Sequence, residues 1–305
     1  MTARRAMVVG YGSIGARHAR VLREDGLEVG VVSRSGAAEG SVATLAEGLA
    51  QFRPDYVVLA SPTSDHRAGL EALAEQAFGG RVLVEKPLLA EPATLPWGGF
   101  GQVGVGYNLR FHPLVARLRD ALTGRRVLSA SIHCGQYLPD WRPGTDYRAT
   151  SSASLAAGGG VLRDLSHELD LAAHLLGSWT ELTATGGRLG PLDIETDDAW
   201  GVLMRLRSGA IVTLGVDYWH RPARRSIVVE TAEGSLSIDF IAGTFTENGK
   251  AEAHPAERDA TYRAMHKAML DHAPSPLCTA AEGLAVVDTI AAIEKAARDR
   301  VWITA

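Results

Sequence analysis

The chain predicts an α/β protein in two parts. A doubly wound parallel sheet comes first, and an α+β domain with an open, mostly antiparallel sheet follows it. Three observations carry this. The first third alternates apolar runs with helical patterns, which demands parallel strands joined by right-handed crossovers. Tyr56–Ser61 reads as a strand buried on both faces, as parallel sheets require. From Glu181 onward, short alternating runs are joined by tight turns such as Arg207-Ser208-Gly209 and Ala232-Glu233-Gly234, the mark of antiparallel hairpins. A chain of 305 residues is long enough for two domains.

The elements follow in order. Ala6–Val9 is a strand, Ser13–Glu24 a helix with Gly26 just beyond its end, and Glu28–Ser33 a second strand. Val42–Gln51 reads as a helix, Tyr56–Ser61 as a strand, and Asp65 is placed to cap a helix over Arg67–Gln76. Arg81–Glu85 and Val103–Tyr107 are further strands. Between them, Lys86–Asn108 carries Pro92, Pro96 and the pair Gly98-Gly99, which leaves a loop or a single turn where a crossover helix is usual. Pro113–Leu122 is an amphipathic helix with proline in its first turn. Val127–Tyr137 alternates as a strand, Leu138–Ala157 is irregular, and Leu162–Leu176 is a helix ended by Gly177. Strands are expected at Glu181–Arg188, Ala199–Arg207, Ala210–Trp219, Ser226–Thr231, Ser235–Phe240 and Gly243–Glu247. Two helices, Glu257–His272 and Thr279–Arg298, precede a last strand, Val301–Thr304. The expected domains are residues 1–108, residues 109–278, and a C-terminal helix and strand, 279–305, returning to the first.

Composition narrows the function. Hydrophobic content of 46% and charged content of 22% are those of a soluble globular protein. A net charge of −4 and a pI near 6.2 argue against a nucleic-acid partner. No apolar run reaches the roughly 18 residues of a membrane span. Cys134 and Cys278 are the only cysteines and their spacing fits no metal site. The reading therefore expects a reducing cytoplasm and assigns no metal.

The chemistry is carried by four stretches. Gly10-Tyr11-Gly12-Ser13-Ile14-Gly15 stands between a strand and a helix. Gly10 permits the tight turn, Gly12 removes a side chain where backbone meets phosphate, and Gly15 permits close packing. The N–H groups of Ser13 and Ile14 then face the pyrophosphate of a dinucleotide. At the end of the second strand Ser33-Arg34-Ser35 holds no carboxylate, and a guanidinium fork suits a 2′-phosphate, so NADP is preferred over NAD. Ser61-Pro62-Thr63 ends the third strand and lines the nicotinamide ribose side, with His66 either a cofactor contact or a surface residue. Glu85-Lys86-Pro87 closes another strand. An ammonium there can stabilise an alkoxide that develops during hydride transfer. Finally, Gly158-Gly159-Gly160 precedes Asp164, His167 and Asp170, spaced so that they share a helix face. A histidine flanked by carboxylates has the basicity and fixed tautomer of a general base.

These motifs, with Gly106-Tyr107-Asn108-Leu109-Arg110-Phe111-His112-Pro113, occur in an order that resembles the Gfo/Idh/MocA oxidoreductases. The resemblance spans nearly the whole chain. It implies a Rossmann domain that binds NAD or NADP, then a domain whose open sheet commonly forms homo-oligomer contacts. It implies that Lys86 and His167 are catalytic, and that Asp164 supports the substrate. Asp164 and His167 are separated by three positions, where family members usually have four. Glu85 and Asn108 are expected at the cofactor, and Arg110 at cofactor or substrate. Tyr137, Trp141, Tyr147 and Arg148, with Asp140 and Asp146, resemble a subgroup found near surface-sugar biosynthesis. There aromatic rings stack on sugar faces, and Asp and Arg pair with hydroxyls or phosphate; a packed structural loop is the alternative. The implied reaction moves a hydride between nicotinamide and a secondary alcohol or ketone of a sugar, cyclitol or nucleotide-sugar. A non-catalytic dinucleotide sensor of the same fold and a redox-assisted glycoside cleavage are the alternatives.

Overall fold

The computed structural model describes residues 4–36, 38–95, 97–271 and 275–305. In chain order, β1 (Arg5–Val9) leads to α1 (Ser13–Glu24), β2 (Glu28–Val32), α2 (Leu45–Phe52), β3 (Tyr56–Leu59), α3 (His66–Glu75), β4 (Arg81–Val84) and β5 (Gln102–Val105). Then come α4 (Pro113–Leu122), β6 (Val127–Gly135), α5 (Val161–Asp164), α6 (His167–Leu176), β7 (Trp179–Gly187), β8 (Ala199–Leu206) and β9 (Ile211–Asp217). The chain ends with β10 (Arg224–Thr231), β11 (Gly234–Asp239), β12 (Thr244–Glu247), β13 (Lys250–Ala253), α7 (Ala260–Asp271), β14 (Cys278–Thr279), α8 (Ala280–Asp299) and β15 (Ile303–Thr304).

Two compact units result. The first comprises Met1–Asn108 with Arg258–Leu284, the second Leu109–Glu257 with Ala285–Ala305. The first holds a six-stranded sheet in the order β14-β5-β4-β3-β1-β2. Its strands are parallel except β14, which is antiparallel to β5. Strand order reverses between β1 and β3, and such a switch point opens a ligand crevice at the carboxyl ends of the strands. Tyr56 to Leu59 of β3 are all fully buried, as expected of a central strand.

Local chemistry shifts several expected boundaries. α2 starts at Leu45, because Thr44 and Glu47 close a reciprocal capping box; Val42 instead bridges Val32. Asp65 does not cap α3 through its side chain. The short crossover between β4 and β5 carries no helix among the described residues. Leu88, Leu89 and Leu95 are buried there instead. The first unit covers β5 with its own late segment: a methyl at Gly104 would lie 2.7 Å from Met269 Sδ, and one at Gly283 would lie 2.6 Å from Val105. Pro96 of that expected loop and His272 at the expected helix end lie outside the described residues.

The second unit holds a nine-stranded sheet in the order β13-β12-β11-β10-β6-β9-β8-β7-β15. Every neighbouring pair is antiparallel except β6 and β9. One face is core: Ala130, Ile132 and Cys134 of β6 are buried, while Ser129, Ser131 and His133 alternate onto the other side. α4, α5 and α6 pack on this sheet. β13, an exposed Lys-Ala-Glu-Ala edge, offers only alanines as apolar residues and none that is β-branched or aromatic, so no strand was legible there.

The expected return of residues 279–305 to the first domain is corrected. Residues 258–284 belong to the first unit, and residues 285–305 to the second. The buried stripe of Val286, Val287, Ile290 and Ile293 shows that α8 has an apolar partner but not which one. The structure supplies the partner: Thr289 Oγ1 accepts from Trp179 Nε1 at 2.9 Å, Glu294 pairs with Arg163 at 2.6 Å, and β15 adds to β7.

Candidate cofactor and active site

The glycine loop of the first unit is built as an anion cradle. Gly10 has φ +92°, and a methyl there would lie 2.7 Å from the Ala60 carbonyl oxygen, so the turn presses against the end of β3. A methyl at Gly15 would lie 2.0 Å from the Gly10 carbonyl oxygen. Gly12 is different, for a methyl there meets nothing within 4 Å. No side chain caps α1 above it. The orphan N–H groups that open a helix therefore point to unobstructed space, with Ser13 and Ile14 in its first turn. The residues present fit a dinucleotide pyrophosphate.

The end of β2 carries a hydroxyl pair and a cation. Ser33 and Ser35 Oγ lie 3.2 Å apart. The side chain of Arg34 is 78% exposed and pairs with Asp65 at 2.7 Å. Ser61, Pro62 and Thr63 continue from β3, with Thr63 opening a short 3₁₀ turn. His66, expected as a cofactor contact or a surface residue, is not at the surface and acts as a brace. It is buried, with Nδ1 3.1 Å from the Pro87 carbonyl and 3.2 Å from that of Leu88, and Nε2 3.0 Å from that of Ser61. It ties the loop after β3 to the chain after Lys86. Burial lowers its pKa against the pull of those carbonyls.

Glu85 and Lys86 follow β4, and the Lys86–Pro87 peptide is cis. Lys86 is part-exposed and its backbone N–H donates to Glu85 Oε2 at 3.1 Å. The other Glu85 oxygen, 2.8 Å from His18 Nε2, starts a buried chain. His18 Nδ1 is 2.9 Å from His266 Nε2, and His266 Nδ1 is 2.9 Å from the Tyr56 hydroxyl. Burial pushes the Glu85 carboxyl up, but the His18 hydrogen bond and the charges of His18 and Lys86 outweigh it, so it sits below its ordinary value. Burial, then the His18 charge, hold His266 well below the usual histidine range. Burial, then the Glu85 charge, hold the Tyr56 phenol well above its usual value. With Glu85 ionised, His18 Nε2–H donates to it, and the His18–His266 and His266–Tyr56 hydrogen bonds continue the chain in a direction set by the tautomers of the two rings. Asn108, expected at the cofactor, is buried and donates to Thr261 Oγ1 at 2.7 Å.

In the second unit the triple glycine is a close approach. A methyl at Gly159 would lie 2.0 Å from the Ser151 carbonyl oxygen, and one at Gly160 would lie 2.1 Å from Asp197 Oδ1. Asp197 accepts from the Leu162 N–H at 3.0 Å and from Trp200 Nε1 at 2.7 Å, capping α5 from a distance. The expected single helix over Leu162–Leu176 is two, broken at Leu165-Ser166, so Asp164 ends one and His167 begins the next. Both are part-exposed.

The carboxylates around His167 have other partners. Asp170 is fully buried against Arg110, whose Nε is 3.0 Å from both its oxygens and Nη2 2.7 Å from one. Arg110, expected at cofactor or substrate, is thus part of a buried ion pair. Glu168 is buried against Arg225, with contacts of 2.7 and 3.1 Å. Asp164 accepts from the Tyr218 hydroxyl at 2.6 Å, and Tyr218 meets Trp141 edge-to-face at 5.3 Å. Burial, then the Asp164 carboxylate, push the Tyr218 phenol well above its ordinary value. Asp164, Tyr218 and Trp141 therefore form one cluster. Tyr147 and Arg148 form another, exposed one: Arg148 forks onto Asp146, and Tyr147 accepts from the Asp193 N–H at 3.3 Å. Tyr137 lies under the Arg221 guanidinium. Sequence reading missed His18, His266, Asp197, Tyr218 and Arg225, because each acts through a partner far along the chain. For His18 the only signal is its place on the helix that the glycine loop opens.

Comparison with known proteins agrees with this geometry. Residues 4–95 match the family model "Oxidoreductase family, NAD-binding Rossmann fold". Residues 118–237 match "GFO/IDH/MocA C-terminal domain". A comparison with curated protein sequences finds no match. Among solved structures, GenD2 from gentamicin A biosynthesis, in complex with NAD, is 25% identical with a TM-score of 0.80, covering 100% of this chain and 97% of that one. The WlbA dehydrogenase from Bordetella pertussis, in complex with NADH and UDP-GlcNAcA, is 22% identical with a TM-score of 0.79 and 99% coverage of each chain. A levoglucosan dehydrogenase in complex with NADH is 17% identical with a TM-score of 0.82 and 99% coverage of each.

Proposed function

The chain belongs to the Gfo/Idh/MocA family of NAD-binding oxidoreductases, and from that premise we propose that it oxidises or reduces a secondary alcohol or ketone of a sugar, cyclitol or nucleotide-sugar. The observation that carries this is the uncapped start of α1 over the open Gly12. It accounts for a dinucleotide, and the alkaline side chain of Lys86 follows a strand of the same sheet. When bound, the nicotinamide ring supplies or accepts the hydride.

The chain's own groups handle charge and protons. The Lys86 ammonium stabilises the oxyanion that develops on the substrate. His167 takes the hydroxyl proton in oxidation and returns it in reduction. Asp164, held by Tyr218, orients the substrate, and Trp141 with Tyr137 offers stacking faces to a sugar ring. Tyr147 and Arg148 supply an outlying polar contact for a larger substrate. GenD2 and the WlbA dehydrogenase, named above, support the carbohydrate class.

NADP is the preferred form. An exposed guanidinium at the end of β2, beside the Ser33–Ser35 hydroxyl pair, suits a 2′-phosphate better than a bare ribose. Arg34→Ala should weaken NADP(H) binding about tenfold or more, since charge-assisted pairs exceed neutral ones, and leave NAD(H) binding nearly unchanged. Equal losses for both dinucleotides would reverse the preference. Two buried cysteines that form no disulfide support a cytoplasmic enzyme, and no helix among the described residues is long and apolar enough to cross a membrane. The non-core face of the second unit's sheet is the proposed homo-oligomer contact.

The deciding experiment is a panel of sugars and nucleotide-sugars assayed with NAD(P)+ and NAD(P)H by nicotinamide absorbance. With a substrate found, Lys86→Ala and His167→Ala should each lower kcat/KM on the order of 10²–10⁴-fold. Near-normal turnover in both variants would refute the assigned roles. Tight dinucleotide binding without turnover across the panel would favour a sensor.

A further inference from the structure

A second cluster of chemistry-bearing side chains, within the second unit, includes none of the residues assigned a role in the reaction. β6 and β9 run parallel with Gly135 beside Asp217 and His133 beside Gly215. Alternation puts His133 and Asp217 on the same side of the sheet. The chain turns directly after β9 and brings His220 back over Asp217. The carboxylate is held in place, because Asp217 Oδ1 accepts the N–H groups of Trp219 at 3.0 Å and His220 at 2.8 Å. Its other oxygen, Oδ2, lies 3.1 Å from His220 Nδ1 and 3.4 Å from His133 Nε2. One ligand atom from each of the three residues lies within 4.8 Å of the other two.

Two features point to an occupant. His133 Nε2 is buried and makes no well-formed hydrogen bond among the described residues, its contact with Asp217 Oδ2 being an ion-pair distance of 3.4 Å. Buried ring nitrogens are ordinarily satisfied. Space around the cluster is also kept clear by glycine. A methyl at Gly135 would lie 2.6 Å from Asp217 Oδ2 and 2.8 Å from His220 Cβ, and one at Gly215 would lie 3.0 Å from His133 Nδ1.

We propose that His133, Asp217 and His220 form a binding site for one divalent transition-metal ion, with zinc the fitting type. Two imidazoles and one carboxylate are the donor set of such ions; calcium and magnesium prefer all-oxygen shells. The side chains of His133 and His220 are 23% and 35% exposed, so water completes the coordination. Arg224, a strand cation opposite Gly135, has its Nε 3.4 Å from Ser226 Oγ. The ion fastens the turn after β9 to the end of β6. That turn also holds the next segment, for the His220 and Tyr218 carbonyls accept from the Tyr137 and Leu138 N–H groups at 3.0 and 2.9 Å. The role is therefore in holding the Tyr137–Trp141 segment, separate from any hydride step.

The test uses untagged protein stripped by a chelator. Titration with zinc chloride by calorimetry should saturate at one ion per chain. Cobalt(II) should give the visible d–d absorption of an imidazole-ligated ion. Since changing even an outer-shell partner of a metal typically costs 10–100-fold in affinity, His133→Ala and His220→Ala should each weaken binding by about 100-fold or more, with circular dichroism unchanged. If one variant fails to fold, the other decides. No saturable uptake by the parent chain, or uptake that persists in the folded variants, overturns the site.

Discussion

At Gly12 the backbone is ordinary, with φ −73°, and an added methyl would meet nothing within 4 Å; at Gly15 the same methyl would lie 2.0 Å from the Gly10 carbonyl oxygen. One motif therefore contains a glycine kept for a ligand and a glycine kept for the fold. Gly12→Ala should alter unfolding free energy by no more than about 0.5 kcal/mol, as at other unobstructed sites, while weakening dinucleotide binding about tenfold or more. Gly15→Ala should cost about 1–3 kcal/mol of stability through overpacking. Urea unfolding and dinucleotide titration of the two variants check the contrast, and equal stability losses would show that Gly12 too is structural. Arg110 makes the same point about residue identity. Its fork onto a fully buried Asp170 gives it a structural role, which rests on burial that a sequence does not display.

Elements were legible where periodicity and local chemistry decide them. The Gly10–Gly15 loop opening α1, the crossover after Lys86 without a helix among its described residues, and the antiparallel run from β7 onward all follow from neighbours in sequence. What stayed hidden depends on distant partners. Asp197 caps α5 across 35 positions, and α7 places His266 against His18 across 248. The break between α5 and α6 is hidden for the same reason, since the helical pattern runs straight through Leu165-Ser166. The buried Tyr56–His266–His18–Glu85 chain links β3, α7, α1 and the end of β4. It holds the carboxylate whose other oxygen accepts from the Lys86 N–H. Tyr56→Phe removes one hydroxyl and leaves His266 Nδ1 buried without its hydrogen-bond partner, which should cost about 1–3 kcal/mol. Denaturant midpoints of the variant and parent measure it, and an unchanged midpoint would show that the chain is not a cooperative unit.

Across the whole molecule, acid stability should fall in two windows set by different groups. His66 and His266 are both buried with pKa values below the ordinary 6.5, the latter far below. About one unit or more above 6.5 they are almost wholly neutral folded or unfolded, so they add little pH dependence there. As pH falls below 6.5, the unfolded chain takes up protons that the folded one refuses, so folding is progressively lost at up to about 1.4 kcal/mol per pH unit for each histidine. Glu85 acts lower. Its folded pKa lies beneath the ordinary 4.5, so its contribution is complete above 4.5 and disappears only as pH falls through the depressed value. Urea unfolding at pH 7.5, 6.5 and 5.5 should therefore show little change in the first interval and a clear loss in the second, well before the carboxylates titrate. A flat profile down to pH 5.5 would mean that the buried rings accept protons in place without loss of the fold.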